Sequence, residues 1–138
     1  PPTQVSEVLS PGQSEGSIIV IIATDAPLDG RQLTRLAKRA ALGLARTGST
    51  ARHGSGDFML AFSTANIIPH YPKEPTFPMT HLADTYLNPL FTATVETVEE
   101  AILNALTTAT TVIGRDGHRG EAIDLHRLKA LVTDSGRN

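Results

Sequence analysis

The 138-residue sequence contains no cysteine, which excludes disulfides, thiolate metal sites and a cysteine nucleophile together. It has no excess of one charge: 12 basic against 14 acidic side chains leave a net charge of -2, so no field draws in nucleic acid or an anionic membrane. Its longest apolar run falls far short of the roughly 20 residues a membrane span requires. No signal-peptide pattern stands in its first residues, and a cytoplasmic location is the expectation. Several catalytic signatures are also missing. There is no Gly-x-Ser-x-Gly elbow, and the five histidines, at 53, 70, 81, 118 and 126, complete no Ser-His-Asp pattern. Neither His-Glu-x-x-His nor a carboxylate-histidine cluster at ligand spacing occurs, so no metal or other cofactor is expected. The glycine-punctuated stretch Thr47 to Asp57 lacks the Gly-Lys-Ser/Thr ending of a phosphate loop. Asp116 with His118 is the nearest acid-histidine pair, and it reads as a turn. No internal repeat is visible.

What is present is enough for one modest domain, with 40% hydrophobic residues to fill its core. The chain is organised around Gly16-Ser17 followed by Ile18-Ile19-Val20-Ile21-Ile22. Five consecutive Ile/Val residues without alternation predict a strand buried on both faces, at the centre of a sheet. Such a strand is a rigid mount that fixes Ser17 relative to the core, as a nucleophile needs. After a turn, Asp29 is placed as N-cap with Gln32 at capping-box spacing. Leu33, Leu36, Ala37, Ala40, Ala41 and Leu44 then form one helical stripe, with Gly48 as its stop. Arg31, Arg35, Lys38, Arg39 and Arg46 read as the helix's solvated face.

Phe58 to Phe62 is expected as a second buried strand, and its pairing with the first would bring Ser55-Gly56-Asp57 near Ser17. Strand, capped helix and strand in succession indicate an α/β layered domain. Pro69, Pro72, Pro75 and Pro78 mark a long stiffened excursion, a lid, a subunit contact or a plain surface connection. Asn88-Pro89 reads as an N-cap with proline at the first helical position, opening a helix with Val95, Val98, Ile102, Ala105 and Ala109 on one face and Glu96, Glu99 and Glu100 in water. Val112-Ile113-Gly114 ends this unit, and Asp124 caps a last helix carrying Leu125, Leu128, Leu131 and Val132.

A serine hydroxyl is a weak nucleophile until a base accepts its proton. With no histidine placed for Ser17, one arrangement remains: cutting the Gly16-Ser17 bond would create an α-amine beside the hydroxyl, with an ordinary pKa of about 7.7–8.0. Glycine before the serine tolerates the strained backbone that attack on its own carbonyl would require.

The segments GSIIVIIATDAP, LARTGST, GSGDF, AFSTAN, LNPLF and GRDGH, taken in order from Gly16 to about Leu131, resemble the small C-terminal subunit of the L-aminopeptidase D-amidase/D-esterase family, which includes DmpA and the β-peptidyl aminopeptidases. The resemblance implies a four-layer αββα sandwich like that of N-terminal-nucleophile hydrolases but differently connected, shared with the ornithine acetyltransferases. It implies a precursor that cuts itself between Gly16 and Ser17, with Ser17 as catalytic nucleophile, Ser55 relaying or orienting the proton, and Asp57 fixing Ser55 and stabilising charge on the amine. Oxyanion and ammonium-binding groups would come from a large upstream subunit, and four such heterodimers would form a tetramer. Substrates would be short peptides, amino-acid amides and esters, with D- or β-residues among them. On this reading residues 1–16, rich in Pro, Ser, Gln, Gly and Glu, are a linker or the tail of the large subunit, and 17–138 are the small catalytic subunit. The opening Pro-Pro-Thr-Gln looks like a processed or trimmed product, yet a mature small subunit would begin at Ser17. Two rivals stand beside this one. Acyl transfer of the ornithine acetyltransferase kind is disfavoured because that family uses threonine where this chain has Ser17. The other is an uncut binding protein of the same fold with an inert Ser17.

Overall fold

A computed structural model describes residues 16–135, so the linker expected over residues 1–16 lies almost wholly outside the described part. The elements in order are β1 (Ile19–Thr24), α1 (Gly30–Arg46), β2 (Phe58–Ser63), a 3₁₀ turn (Asp84–Tyr86), α2 (Asn88–Thr108), β3 (Val112–Ile113), a second 3₁₀ turn (Arg115–Gly117), β4 (Arg119–Gly120) and α3 (Leu125–Ser135). β1 and β2 form a parallel pair, with Ile19 opposite Phe58 and Thr24 opposite Ser63. Both helices α1 and α2 lie to one side of this pair. The core gathers Leu28, Leu36 and Leu87, with Ile22, Ala26, Leu33, Ala61, Leu82, Leu90 and Phe91 packed around them.

The expectation that β1 is enclosed on both faces does not hold within this chain. Both strands alternate exposed and half-buried positions, and the register aligns the exposed ones: Ile19 with Phe58, Ile21 with Leu60, Ala23 with Phe62. Ile19 and Phe58 are 72% and 69% exposed. An unbroken Ile/Val run marks a strand covered twice, and here only the face toward α1 and α2 is covered. Fully burying five large apolar side chains is worth about 8–15 kcal/mol, comparable with the net stability of a whole domain, so covering this face would be strongly favourable.

Helix α1 begins as the sequence dictates. The Asp29 carboxylate accepts from the Gln32 amide at 2.6 Å and the Gln32 side chain accepts from the Asp29 N–H at 3.2 Å, closing the capping box. The helix ends at Thr47, and Gly48 follows at φ +98°, donating to Ala45 O. The buried stripe is Gln32, Leu36, Ala40 and Gly43, whereas Ala41 is exposed. Gly43 is where α2 crosses: a Cβ there would lie 2.6 Å from Val95 O and 2.8 Å from the Val98 side chain, so only glycine fits.

The arginines of α1 are not a simple solvated face. Arg31 grips Asp84 with both guanidinium nitrogens at 2.9 and 2.7 Å, Arg35 reaches the same carboxylate at 3.2 Å, and Arg46 pairs with Glu99 at 3.0 Å. Arg39 lies over the Phe91 ring, 3.9 Å from its centroid. Their partners lie far away in sequence, which is why helical periodicity alone does not find them. Gln32, fully buried, joins this network by donating to Leu82 O at 2.8 Å and Asp84 Oδ1 at 2.7 Å. The Arg31 and Gln32 hydrogen bonds hold the Asp84 carboxyl far below the ordinary carboxylate range. Because its folded pKa is depressed, Asp84 contributes stability fully above the unfolded value of about 3.9 and loses it as pH falls further. Melting temperatures of wild type and Asp84→Asn should therefore differ at neutral pH and converge below about pH 4.

Asn88 is not the cap of α2. The 3₁₀ turn leads straight into the helix, Leu87 is already right-handed helical and serves as N-cap without a side-chain bond, and Pro89 sits within the first turn. Helix α2 ends at Thr108, leaving Ala109 as its C-cap, and its buried residues are Thr94, Val95 and Val98. The Pro-rich excursion leaves the trailing end of β2. It is closed by Asn66, whose side chain donates to Thr80 O and accepts from Thr80 N, both at 2.9 Å. Beyond α2, Val112 and Ile113 pair antiparallel with Gly120 and Arg119 around a turn with Asp116 at φ 59° and Gly117 at φ 78°. Asp124 caps α3 as expected, accepting from His126 N and Arg127 N at 2.9 and 3.1 Å.

Candidate active site

Parallel pairing brings the leading ends of β1 and β2 together, and with them the two Gly-Ser segments. Ser17 is exposed, Ser55 and Asp57 are half-buried, and the contacts run one to one. Ser55 Oγ lies 3.1 Å from Gly16 O, Gly56 N donates to Ser17 Oγ at 2.9 Å, and Ile18 N donates to Asp57 Oδ1 at 3.2 Å. Phe58 N then donates to Ile18 O at 2.9 Å, the first regular rung of the ladder.

The rung before it shows how the site is made. In a parallel ladder, Gly56 N would bond Gly16 O and Ile18 N would bond Gly56 O. Instead each N–H is taken by a side chain, Ser17 Oγ in one case and Asp57 Oδ1 in the other. The Gly16 carbonyl is thereby left to a hydroxyl rather than a backbone amide. The sheet opens one step early, at the Gly16–Ser17 link.

Ser55 has one hydroxyl proton and two acceptors in reach. Asp57 Oδ1, at 2.6 Å, is both closer and charged, so it holds the proton at rest, while Gly16 O stands near enough to receive it. Sequence reasoning foresaw the adjacency of Ser17, Ser55 and Asp57 and missed the Gly56 amide. It is the observed register, 19 with 58, that places 56 beside 17, and the apolar runs alone do not fix it. No histidine bonds Ser17, Ser55 or Asp57 among the described residues, and none of these residues form a group able to hold a metal. Asp116 and His118 lie in the exposed β3–β4 turn.

The parallel β pair with its helices, opening at a serine before its leading strand, is an α/β unit, and its likeness to solved structures makes it a fold of the N-terminal-nucleophile-hydrolase type. The chain belongs to peptidase family S58, whose model matches residues 2–120. It is 45% identical over 122 residues to the β-peptidyl aminopeptidase BapA of Sphingosinicella xenopeptidilytica, covering 87% of this chain and 30% of that protein. Among solved structures it resembles the L-aminopeptidase D-Ala-esterase/amidase of Ochrobactrum anthropi, described as a prototype serine aminopeptidase and a new variant of the Ntn hydrolase fold. The TM-score is 0.79 at 38% identity, over 96% of this chain and 38% of that one. The PH0078 protein of Pyrococcus horikoshii OT3 matches at 53% identity and a TM-score of 0.79, over 96% of this chain and 37% of that one. The chain thus spans about a third of the length of its relatives. No helix among the described residues is long and apolar enough to cross a membrane.

Proposed function

We propose that this chain is the nucleophile-bearing part of a serine aminopeptidase that frees Ser17 by cutting its own Gly16–Ser17 bond. The observation that carries the reading is the broken rung, which leaves the Gly16 carbonyl beside Ser55 and the Ser17 oxygen held by Gly56 N. In the uncut chain, Ser17 Oγ attacks the Gly16 carbonyl carbon. Negative charge grows on Gly16 O, where the Ser55 proton can move to meet it, and the Oγ proton passes to the departing Ser17 nitrogen. The amide becomes an ester, and water hydrolyses it to a Gly16 carboxylate and a free Ser17 hydroxyl.

The new α-amine is then the base for turnover. It takes the Oγ proton as Ser17 attacks the carbonyl after a substrate's first residue, and returns it to the leaving amine or alcohol. Asp57, through Ser55 and its own charge, favours the resulting ammonium. The substrates are short peptides, amino-acid amides and esters, with D- or β-residues among the candidates. Residues 17–138 form the small catalytic subunit, with 1–16 the preceding tail. The bare Ile19/Phe58, Ile21/Leu60, Phe62 face supports an upstream subunit of the same precursor as the partner that supplies the second sheet. The family resemblance adds that this subunit carries the oxyanion donors and the ammonium site, in a tetramer of heterodimers.

Intact-mass spectrometry of the purified full-length protein tests the cut. Two chains, the shorter beginning at Ser17, are the expected result; one folded, uncut chain with aminopeptidase activity would reject it.

A further inference from the structure

Gly56 lies between the two residues that the resemblance singles out, and its own part in the site is carried by two separate observations. Its N–H is the hydrogen-bond donor to Ser17 Oγ, at 2.9 Å. A Cβ built on it would meet, apart from its chain neighbours, one heavy atom within 4 Å: Ser17 Oγ, at 3.4 Å. Its φ lies outside the left-handed range, so neither backbone strain nor packing against the rest of the fold requires glycine here.

We infer that Gly56 is a positioning residue for both reactions of Ser17, its amide holding the nucleophile oxygen and its missing side chain leaving the space through which an acyl carbon reaches that oxygen. The inference rests on Ser17 being the nucleophile. The donated hydrogen bond occupies one lone pair of Oγ, which fixes its rotamer and leaves the hydroxyl proton free for the base. It matters again when the acyl-enzyme is resolved. Water adds to the ester carbon and gives a proton to the α-amine; the C–Oγ bond then breaks with its electron pair going to Oγ, which takes that proton from the amine. Through that step the fixed N–H meets the charge developing on Oγ without reorganisation. A methyl at position 56 would lie in van der Waals contact with the same oxygen and fill part of the space beside it, and a branched side chain would crowd it further. A displacement of the nucleophile by about 1 Å can cost about 100-fold.

The test uses the full-length protein carrying Gly56→Ala or Gly56→Val, with Ser17→Ala in parallel. For chains already cut, kcat should fall measurably in Gly56→Ala and by about 100-fold or more in Gly56→Val. KM should change little, the limbs of the pH profile should stay in place and the melting temperature of Gly56→Ala should match wild type. Conversion of precursor should slow in the same order. Wild-type kcat and processing in Gly56→Ala would overturn the inference, and so would a lowered melting temperature, since that would mean the added methyl meets more than Ser17 Oγ. Activity in Ser17→Ala would instead reject the nucleophile itself, so the two failures are distinguishable.

Discussion

Ser17→Ala leaves the full-length protein folded, uncut and inactive. The fold survives because the lost oxygen makes one recorded hydrogen bond, from Gly56 N, at an exposed position. Such a bond is worth about 0.5–1.5 kcal/mol against a net domain stability of about 5–15 kcal/mol. Chemistry should not survive, because in the proposed mechanism Oγ is the atom that forms the ester in both reactions. Aminopeptidase activity should fall by a factor of about 10⁴ or more, and incubation should yield no chain beginning at Ser17. Hydrolysis of an amino-acid p-nitroanilide reads the activity, and denaturing electrophoresis with N-terminal sequencing reads the cut. Cutting or turnover in this variant would mean that another group attacks.

Asp57→Asn separates charge from shape. An asparagine in this rotamer keeps an oxygen facing Ser55 Oγ and Ile18 N, so the strand entrance stays closed. What disappears is the negative charge. Ser17 N lies one residue before Ile18 N, which places it within about 7 Å of Asp57 Oδ1. A carboxylate at that range favours the protonated amine formed as Oγ loses its proton, and an amide does not. We expect kcat/KM to drop by about 10²–10⁴. The sign of the accompanying pH change is fixed: the amine acts as base only when neutral, and removing the carboxylate lowers its pKa. The acidic limb of the kcat/KM profile should move to lower pH. A limb that stays in place with full activity would assign Asp57 a purely structural part.

Local rules were readable wherever their partners lay within a few residues. The Asp29–Gln32 capping box, the Gly48 stop and the Asp124 cap each follow from side chains reaching their own helix end. Pairing of the two apolar strands was readable too, and with it the nearness of the Ser55-Gly56-Asp57 segment to Ser17, which the structure makes through Gly16, Ser17 and Ile18. The misses have separate causes: for the arginines a partner far away in sequence, for Asn88 the turn that immediately precedes it. Arg31 and Arg35 look like solvated residues until Asp84 is beside them, and Asn88 looks like a cap until a 3₁₀ turn feeds Leu87 into the helix. β3 and β4, two residues each, are too short to show any alternation. The Gly56 amide was hidden for another reason. A backbone donor leaves no mark on residue identity, and glycine's meaning there is an empty volume.

The open sheet face also imposes a timetable. On the proposed reading, a layer encoded upstream would be tethered while the Gly16–Ser17 link is whole, at an effective concentration in the millimolar range, and would dock on Ile19, Ile21, Phe58, Leu60 and Phe62 before they meet other molecules. Severed early, the same strands would be a sticky fragment at large in the cell. A catalyst activated by self-scission is therefore safest when the blade forms only on completion of the fold, and a rung that only paired strands can break provides that delay.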